Sequence, residues 1–266
     1  MKFSIITAVK NNKTGLLRAI ECVRNQTYKN VEHIIVDGGS TDGGKEILRR
    51  SLSRFVGTQN DYPHTTTYSL IIISEADSGI YDALNKGLKM ATGDVVGFLH
   101  SDDIFKDENV ISKIAKAFEE KETDSVYSDL EYVYKNDPDK ILRYWKSGEF
   151  NPGSLNKGWM PPHPTFCVKK NIYDKFGMFD TSFRIAADYE IILRFLAKQK
   201  ISTTYLPEVT IKMRAGGASN KNIASVIRKS REDYRALKMN AIPFPLMALF
   251  FKNARKINQF VLSNRN

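Results

Sequence analysis

The sequence has little cysteine and no long hydrophobic run. Its 266 residues include Cys22 and Cys167 alone, too few and too far apart for a disulfide framework or a cysteine zinc site, so we expect a reducing compartment. The longest apolar stretch, Pro243–Phe251, has nine residues, whereas a membrane-spanning helix needs roughly 20. The first residues also lack the cleavage pattern of a secretory signal. These absences favour a globular cytoplasmic protein.

The sequence has fewer acidic than basic residues, and most of the resulting positive charge lies near the C-terminal end. Thirty Asp and Glu residues stand against 40 Lys and Arg residues, which gives a net charge of +10, and +8 of it falls within residues 215–266. Positive charge alone suits nucleic acid, an anionic membrane surface or phosphorylated ligands. A nucleic-acid partner is disfavoured, because the charge is confined to the C-terminal part and no nucleic-acid-binding motif accompanies it.

The first half of the chain alternates between strand and helix patterns. Short β-branched runs predict strands, and apolar residues at helical spacing predict the helices between them. The predicted strands are Phe3–Val9, Val31–Val36, Leu70–Ser74 and Asp94–Leu99, and the predicted helices centre on Leu16–Val23, Thr41–Phe55, Ile80–Ala91 and Ile111–Phe118. This alternation predicts an α/β fold with a mostly parallel central sheet and helices on both faces.

The second half is less regular. The pattern predicts a surface excursion over Gly57–Ser69, strands at Ser125–Tyr134, Ile141–Trp145, Thr203–Tyr205 and Val209–Met213, and helices at Ala186–Lys200 and about Ser219–Lys238. Between them, Ser147–Pro164 is rich in Gly and Pro and is predicted to be a loop. We expect Trp159 and Met160 to be exposed there as part of a binding surface.

Carboxylates follow three of the predicted strands. Asp37 ends the second strand, Asp77 follows the third, and Asp102 and Asp103 follow the fourth. Ligands of an open parallel sheet bind beyond the carboxyl ends of its strands. Each acid alone also suits turn or helix-cap chemistry. Two adjacent carboxylates repel one another unless a cation or donor compensates, which suits Mg²⁺ or Mn²⁺.

Four ordered segments resemble the family 2 glycosyltransferases, which have the GT-A fold. They are Ser4–Thr7, Val36–Gly43, Asp77–Gly87 and Phe98–Asp103. The resemblance covers about residues 1–110 and extends less tightly to about residue 220. It implies a metal-dependent, inverting transfer of a sugar from a nucleoside-diphosphate sugar to an acceptor hydroxyl. A nucleotidyltransferase with a similar pocket is the alternative, and release of pyrophosphate would distinguish it.

The same resemblance implies roles for individual residues. Thr7 and Asp37 would contact the base and ribose, Asp77 would help to close the base pocket, and Asn85 and Lys86 would lie near the ribose or diphosphate. Asp103 would ligate Mn²⁺ or Mg²⁺, and Asp102 would bind the ribose or a metal-bound water. A strict Asp-x-Asp motif would need an acid at Ser101, so the division of roles between Asp102 and Asp103 stays open.

Three further segments resemble the acceptor side and the diphosphate side of that family. In Ile185–Arg194 the resemblance makes Asp188 the catalytic base, with Glu190 in support; on spacing alone, Asp188 caps a helix and Glu190 pairs with Arg194. His163 lies in a proline-flanked loop on the acceptor side, where a structural role is equally plausible. Arg214 would neutralise the leaving diphosphate, or it precedes an ordinary glycine hinge.

The chain thus divides into three predicted parts. Residues 1–110 form the nucleotide-sugar-binding half of the domain, residues 111–218 form its acceptor-side half, and residues 219–266 form a basic amphipathic helical extension. Residues 243–262 combine apolar and basic side chains, which suits peripheral contact with the inner face of the cell membrane near a glycan or lipid-linked acceptor. The alternative is a helix docked on the catalytic body with its charges solvated.

Overall fold

The computed structural model describes residues 1–57, 68–214 and 223–262. In these ranges the strands are β1 (Phe3–Val9), β2 (Val31–Asp37), β3 (Ser69–Ser74), β4 (Val95–Phe98), β5 (Asp103–Phe105), β6 (Ser125–Tyr134), β7 (Asp137–Trp145), β8 (Cys167–Lys169) and β9 (Thr203–Arg214). The helices are α1 (Lys13–Arg24), α2 (Gly44–Gly57), α3 (Ile80–Met90), α4 (Val110–Lys121), α5 (Pro152–Leu155), α6 (Lys170–Phe176), α7 (Ala187–Leu193), α8 (Ile223–Met239) and α9 (Pro245–Leu262).

All of these strands join one sheet, in the order β3-β2-β1-β4-β8-β6-β9-β5, with β7 paired to β6. The strands from β3 to β4 run parallel, as their helical connections require. Antiparallel pairs enter through β8, β5 and the β6–β7 hairpin. The predicted α/β fold with a sheet between helices is confirmed.

Strand β1 shows why helices cover both faces of the sheet. Its alternate residues Ile6 and Ala8 pack into one apolar cluster with α3, while Phe3 and Ile5 pack into another with α1 and α4. A strand buried on both faces needs apolar residues at every position but those with internal polar partners. The two polar residues of this strand have such partners: Ser4 donates its hydroxyl to Glu32 Oε1 at 2.5 Å, and Thr7 donates its hydroxyl to Leu99 O at 2.7 Å.

The second half departs from the predicted elements in several places. The predicted loop over Ser147–Pro164 contains the short helix α5, and α6 was not predicted. The helix predicted over Ala186–Lys200 ends as α-helix at Leu193 and continues as one π-helical turn over Arg194–Lys198. The two short strands predicted near residues 203–213 are one strand, β9. The pairing of β9 with β6 slips between Leu206 and Val209, so the intervening residues bulge out without ending the strand. Of the predicted excursion, residues 58–67 lie outside the described residues.

The expectation that Trp159 and Met160 are exposed is wrong. Their side chains are 7% and 8% exposed, because the loop folds back onto the sheet. The indole of Trp159 donates to Ser147 O at 2.9 Å and packs edge-on against Tyr127. The apolar side chains of this loop therefore belong to the core.

The C-terminal extension is docked on the body. Helix α8 packs against α7, and α9 packs against α8 and β7. Within α9, Ala248 and Lys252 are buried against the body, while Leu246 and Phe250, and Phe244 just before the helix, stay exposed. The alternative, a helix docked on the catalytic body, is thus confirmed. Its second part, that the charges are solvated, does not hold for Lys252, which is buried.

Candidate active site

The carboxyl ends of β2 and β3 bring two of the predicted nucleotide residues together. Asp37 accepts from Ser40 N at 3.1 Å and from Ser74 Oγ at 2.7 Å, so it ties the end of β2 to the end of β3. The carboxylate of Asp77 lies directly against Gly38, where a Cβ atom would come within 2.0 Å of Asp77 Oδ2. Gly38 thus permits the two acidic loops to meet at one edge of the sheet.

The turn after β4 carries the paired acids. Asn12 donates to Asp102 Oδ1 at 2.9 Å and to Ser101 Oγ at 3.1 Å. Helix α1 approaches this turn so closely that a Cβ on Gly15 would lie 2.2 Å from Ser101 O. Asp102 is exposed, so a ligand in solvent can reach its carboxylate.

Asp103, unlike the exposed Asp102, is buried. It is 2% exposed, and its Oδ2 atom is buried without a hydrogen-bond partner. Burial, and then the charge of Asp102, raise the pKa of Asp103 well above its ordinary value. Such an orphaned carboxylate oxygen beside a second carboxylate fits a divalent cation that takes its other ligands from substrate phosphates and water. Among the described residues no cluster of three or more His, Cys, Asp or Glu side chains is placed to hold a metal.

Two histidines, His100 and His163, pack together near Asp102 and Asp188. His163 stacks on Phe98 with ring centroids 5.1 Å apart and faces His100 at 6.0 Å. Burial lowers the pKa of both imidazoles, that of His100 to about 4, although the charge of Asp188 acts in the opposite direction on each. Both rings are therefore neutral near pH 7, and Asp188 lies close enough to influence both.

Asp188 lies in the first turn of α7 and is half-buried. Its Oδ1 atom accepts from Tyr189 N at 2.8 Å, and the hydroxyl of Tyr81 lies 3.3 Å from the same oxygen. The charge of Asp102 also acts on His100, so Asp102 and Asp188 both act on this one histidine. A partly accessible carboxylate at this place has the position a general base would need.

Glu190 is held inside the protein. It is 3% exposed and forms a two-bond pair with Arg194, at 3.1 Å to Nε and 2.7 Å to Nη2. Arg194 in turn donates to Phe176 O and Met178 O. The i, i+4 pair expected from spacing is thus present, and Glu190 stabilises the region around α7 through Arg194.

The guanidinium groups of Arg18 and Arg214 lie near one another, and Asp102 lies near that of Arg18. The Nε atoms of Arg214 and Arg18 are both buried without a partner. Burial first, and then the charge of Arg214, lower the pKa of Arg18, whereas Asp102 raises it. Arg214 ends β9, and the glycine-rich segment that follows it lies outside the described residues. Paired guanidinium groups of this kind suit an anionic ligand.

Three other predicted residues are engaged within the fold. Thr7 is fully buried and lies 2.9 Å from His33 Nε2. The amide of Asn85 exchanges two hydrogen bonds with the backbone of Phe179, at 2.9 and 3.0 Å. Lys86 donates to Ala76 O and pairs with Glu75 at 2.9 Å, so it stabilises the loop that carries Asp77. Their contacts with a nucleotide stay predictions.

The sequence interpretation gave no role to Asn12, Arg18, Tyr81 or His100. Tyr81 and His100 lay within the segments that carried the resemblance, and their side chains became meaningful only through contacts across the sheet. Asn12 and Arg18 carried no local signal, because helix-cap and surface residues of the same types occur throughout such folds. Position in the fold, in or beside α1, at the start of α3 and in the turn after β4, brings these four to the site, and not residue type.

Solved structures establish the fold class. A mannosyltransferase from Pyrobaculum calidifontis, solved with GDP-mannose and Mn²⁺, has a TM-score of 0.65 at 15% identity and aligns over 98% of this chain and 73% of its own. Residues 1–349 of TarS from S. aureus, solved with UDP-GlcNAc, give 0.62 at 16% identity over 99% and 72%. The fold is therefore GT-A-like.

The sequence comparisons then identify the family. Glycosyl transferase family 2 matches residues 4–183, so this chain belongs to it. The glycosyltransferase Rv1514c of Mycobacterium tuberculosis is 32% identical over 196 residues, covering 72% of this chain and 67% of its own. The Escherichia coli UDP-Glc:α-D-GlcNAc-diphosphoundecaprenol β-1,3-glucosyltransferase WfaP is 29% identical over 231 residues, covering 85% and 83%. The chain is a glycosyltransferase.

Proposed function

We propose that this enzyme transfers a sugar from a nucleoside-diphosphate sugar to an acceptor hydroxyl, with inversion and with the help of a divalent cation. The observation that carries the proposal is the arrangement of five acids along the sheet edge: Asp37 and Asp77 on one side, Asp102 and Asp103 in the middle, and Asp188, whose charge acts on both His100 and His163. Family membership favours sugar transfer over nucleotidyl transfer.

In this proposal the donor lies along the carboxyl ends of β1 to β4. The Asp37 and Asp77 loops hold the nucleoside, and Asp102 binds the ribose or a metal-bound water. Arg214, with Arg18, stabilises negative charge on the departing diphosphate. Asp103 and Asp102 would hold the cation, which supplies positive charge to the diphosphate when it is bound.

Asp188 would remove the proton from the acceptor hydroxyl as that oxygen attacks the sugar. An alcohol attacks poorly with its proton in place, so a carboxylate within hydrogen-bond reach lowers the barrier. The bond from the anomeric carbon to the diphosphate breaks on the opposite face, and the diphosphate leaves. His163 and the neutral His100 would line the sugar-binding space without competing for the proton.

A lipid-linked acceptor at a membrane surface fits the extension. The exposed apolar side chains of residues 244–251 lie in the segment that carries most of the positive charge of the chain. No helix among the described residues is long and apolar enough to cross a bilayer. We therefore propose peripheral contact between α9 and an anionic inner membrane surface. WfaP, whose name includes a diphosphoundecaprenol acceptor, supports this choice.

The direct test begins with ligand binding. UDP, GDP, UDP-glucose, UDP-GlcNAc and GDP-mannose are screened for an increase in melting temperature, each with and without Mn²⁺, since a ligand of the native state raises stability with its occupancy. For the donor that binds, Asp188→Asn should keep the thermal shift and lose nucleoside-diphosphate release by about 100-fold or more. Asp174→Asn, an exposed acid on α6, is the matched control. Full activity of Asp188→Asn would refute the base assignment.

A further inference from the structure

The backbone just before the candidate base is bound by a side chain from the C-terminal extension. Glu232 of α8 accepts from three successive backbone N–H groups: those of Arg184, Ile185 and Ala186, at 3.1, 2.8 and 3.0 Å from Oε2. Its other oxygen accepts from Arg184 N at 3.1 Å. Three N–H groups that converge on one carboxylate form a nest, and a charged acceptor makes these bonds stronger than neutral ones.

The same segment is attached on its other side to the donor half of the domain. Arg184 Nη1 donates to Ser78 O at 3.1 Å, and the hydroxyl of Tyr81 donates to Ile185 O at 2.6 Å. Ser78 follows Asp77, and Tyr81 lies in the first turn of α3. The two residues before Ala186 therefore lie between the nucleotide-side loops and Glu232, and α7 with Asp188 begins directly after them.

The extension has a second attachment to α7. Asp233 pairs with Lys229 and with the buried Lys252, each at 2.8 Å. The ammonium group of Lys252 lies 3.2 Å from the ring centroid of Tyr189, the residue after Asp188. Residues 215–266 contain ten basic residues and two acidic ones, Glu232 and Asp233. Both acids are thus turned toward α7 and the segment before it.

We propose that Glu232 is a positioning residue for Asp188, which makes the C-terminal extension a working part of the catalytic unit. The inference rests on the proposed function for the role of Asp188. The contacts between Glu232 and residues 184–186 are independent of that function. The family match ends at residue 183, one residue before the segment that Glu232 binds. Glu232 therefore belongs to a part of this chain that the family pattern does not describe.

Loss of the Glu232 carboxylate would slow the reaction by changing the position of Asp188. Without the carboxylate, three N–H groups lose their acceptor, and the segment relaxes toward water or other partners. Asp188 would then move relative to the donor, and a misplacement of about 1 Å can cost on the order of 100-fold in rate. We expect donor binding to change less, because Asp37 on the donor side is held by Ser40 and Ser74, which lie outside this segment.

The test uses Glu232→Gln in the full chain, because the amide keeps the size of the side chain and removes its charge. Glu208→Gln is the matched control, because it removes the charge of an acid in β9 that pairs with Lys113 of α4. Amide hydrogen exchange is followed for the peptide that contains residues 184–190. Release of nucleoside diphosphate is measured with UDP-glucose, UDP-GlcNAc and GDP-mannose. Glu232→Asp tests for partial rescue of both.

The expected result for Glu232→Gln is exchange at residues 184–186 faster by about tenfold or more, kcat lower by about tenfold or more, and KM for the donor within about twofold of wild type. Glu232→Asp should recover part of both losses. Unchanged exchange, or an unchanged kcat, would overturn the inference. A loss of kcat accompanied by faster exchange throughout the chain would also overturn it, because the role would then be general stability.

Failure of the proposed function gives a different pattern. If Asp188→Asn is as active as wild type, the base assignment is wrong, and Glu232→Gln can still speed local exchange. If Asp188→Asn is inactive while Glu232→Gln keeps full kcat, the proposed function stands and the positioning role of Glu232 fails. The two variants together therefore separate the two claims.

Discussion

The hydroxyl of Tyr81 donates to Ile185 O at 2.6 Å and lies 3.3 Å from Asp188 Oδ1. A phenol has one proton to donate, and the shorter contact shows that it goes to the carbonyl oxygen. Burial raises the pKa of Tyr81 well above its ordinary value, so the proton stays on the phenol throughout the physiological range. Tyr81 therefore links α3, on the donor side, to the segment that positions the candidate base.

We predict that Tyr81→Phe lowers kcat by about tenfold while KM for the donor changes little, because the variant releases Ile185 without touching the nucleotide loops. The free energy of unfolding should fall by about 1 kcal/mol, the usual value of one hydrogen bond. Tyr144→Phe is the control, since its hydroxyl binds Asp129 at 2.5 Å on the β6–β7 side. Steady-state kinetics and urea denaturation provide the two readouts, and equal losses of kcat in both variants would contradict the prediction.

Local patterns were sufficient for the first half of the fold but not for all of the site. The strand-end acids Asp37, Asp77 and Asp102 could be found because β-α alternation places such residues at one edge. The burial of Trp159 could not be predicted from the sequence, since a Gly- and Pro-rich loop gives no sign of whether it folds back onto the sheet. The contact between Glu232 and residues 184–186 joins positions more than 40 residues apart and depends on how α8 docks, which no local pattern encodes.

A second prediction concerns the cation. Asp103→Asn should abolish the increase in melting temperature that Mn²⁺ gives in the presence of a nucleoside diphosphate, because the variant removes the buried carboxylate that the ion would compensate. Without metal, the variant should be at least as stable as wild type near neutral pH. Burial raises the pKa of Asp103 well above its ordinary value, so the folded state loses stability as the pH rises above the ordinary pKa at which the unfolded carboxyl ionises, and the amide removes this cost.

The control for that experiment is Asp139→Asn, because Asp139 is 93% exposed and pairs with Lys212 at the protein surface. Differential scanning fluorimetry with and without Mn²⁺ compares the three proteins. A full Mn²⁺ response in Asp103→Asn would assign the ion to other groups, and loss of the response in both variants would show that the acids act through overall charge.

A third prediction concerns acid stability. His33 is fully buried, and burial lowers its pKa from 6.5 to about 3. Thr7 donates its one hydroxyl proton to Leu99 O, so its 2.9 Å contact with His33 Nε2 requires a proton on that nitrogen. Because burial lowers the pKa, the folded state favours the neutral ring, and the contact places its proton on Nε2. Because the folded pKa is depressed, the stabilisation is complete above pH 6.5 and is lost as the pH falls toward 3.

The slope of unfolding free energy against pH tests this directly. Each histidine that is neutral when folded and charged when unfolded contributes about 1.4 kcal/mol per pH unit between these two pKa values. His33→Gln should lower the slope between pH 6 and pH 4.5 by about that amount, leaving the contributions of His100 and His163 in place. Guanidinium denaturation at several pH values measures it, and an unchanged slope would contradict a neutral buried His33.

A fourth prediction concerns two exposed phenylalanines, Phe250 of α9 and Phe244 just before the helix. Phe244 and Phe250 are 74% and 68% exposed, and burying a phenylalanine side chain is worth about 1.5–3 kcal/mol. The double variant Phe244→Asp, Phe250→Asp should bind vesicles of phosphatidylcholine and phosphatidylglycerol at least about tenfold more weakly in cosedimentation. Tyr134→Asp, which changes an exposed aromatic residue of β6, is the control. Equal binding by the double variant and wild type would mean that α9 does not contact the membrane.

The last prediction compares two glycines with the same backbone conformation. Gly158 and Gly148 have φ angles of +67° and +70°, which an L side chain adopts at some cost. A Cβ atom at Gly158 would lie 2.2 Å from Ala248 O and 2.7 Å from Lys252 N, both backbone atoms of α9, whereas a Cβ at Gly148 would meet nothing within 4 Å. Gly148→Ala should therefore cost about 1 kcal/mol of stability from strain alone. Gly158→Ala carries the same strain and must also displace α9.

Displacement of α9 has a consequence beyond stability. It would move Lys252 away from Asp233 and Tyr189, on the side of α7 that the extension covers. We therefore expect Gly158→Ala to lower the free energy of unfolding by about 2 kcal/mol more than Gly148→Ala and to reduce kcat, while Gly148→Ala keeps the wild-type rate. Urea denaturation and donor turnover measure the two effects. If both alanine variants behave alike, α9 does not depend on close backbone contact at Gly158, and its coupling to α7 must run through α8 alone.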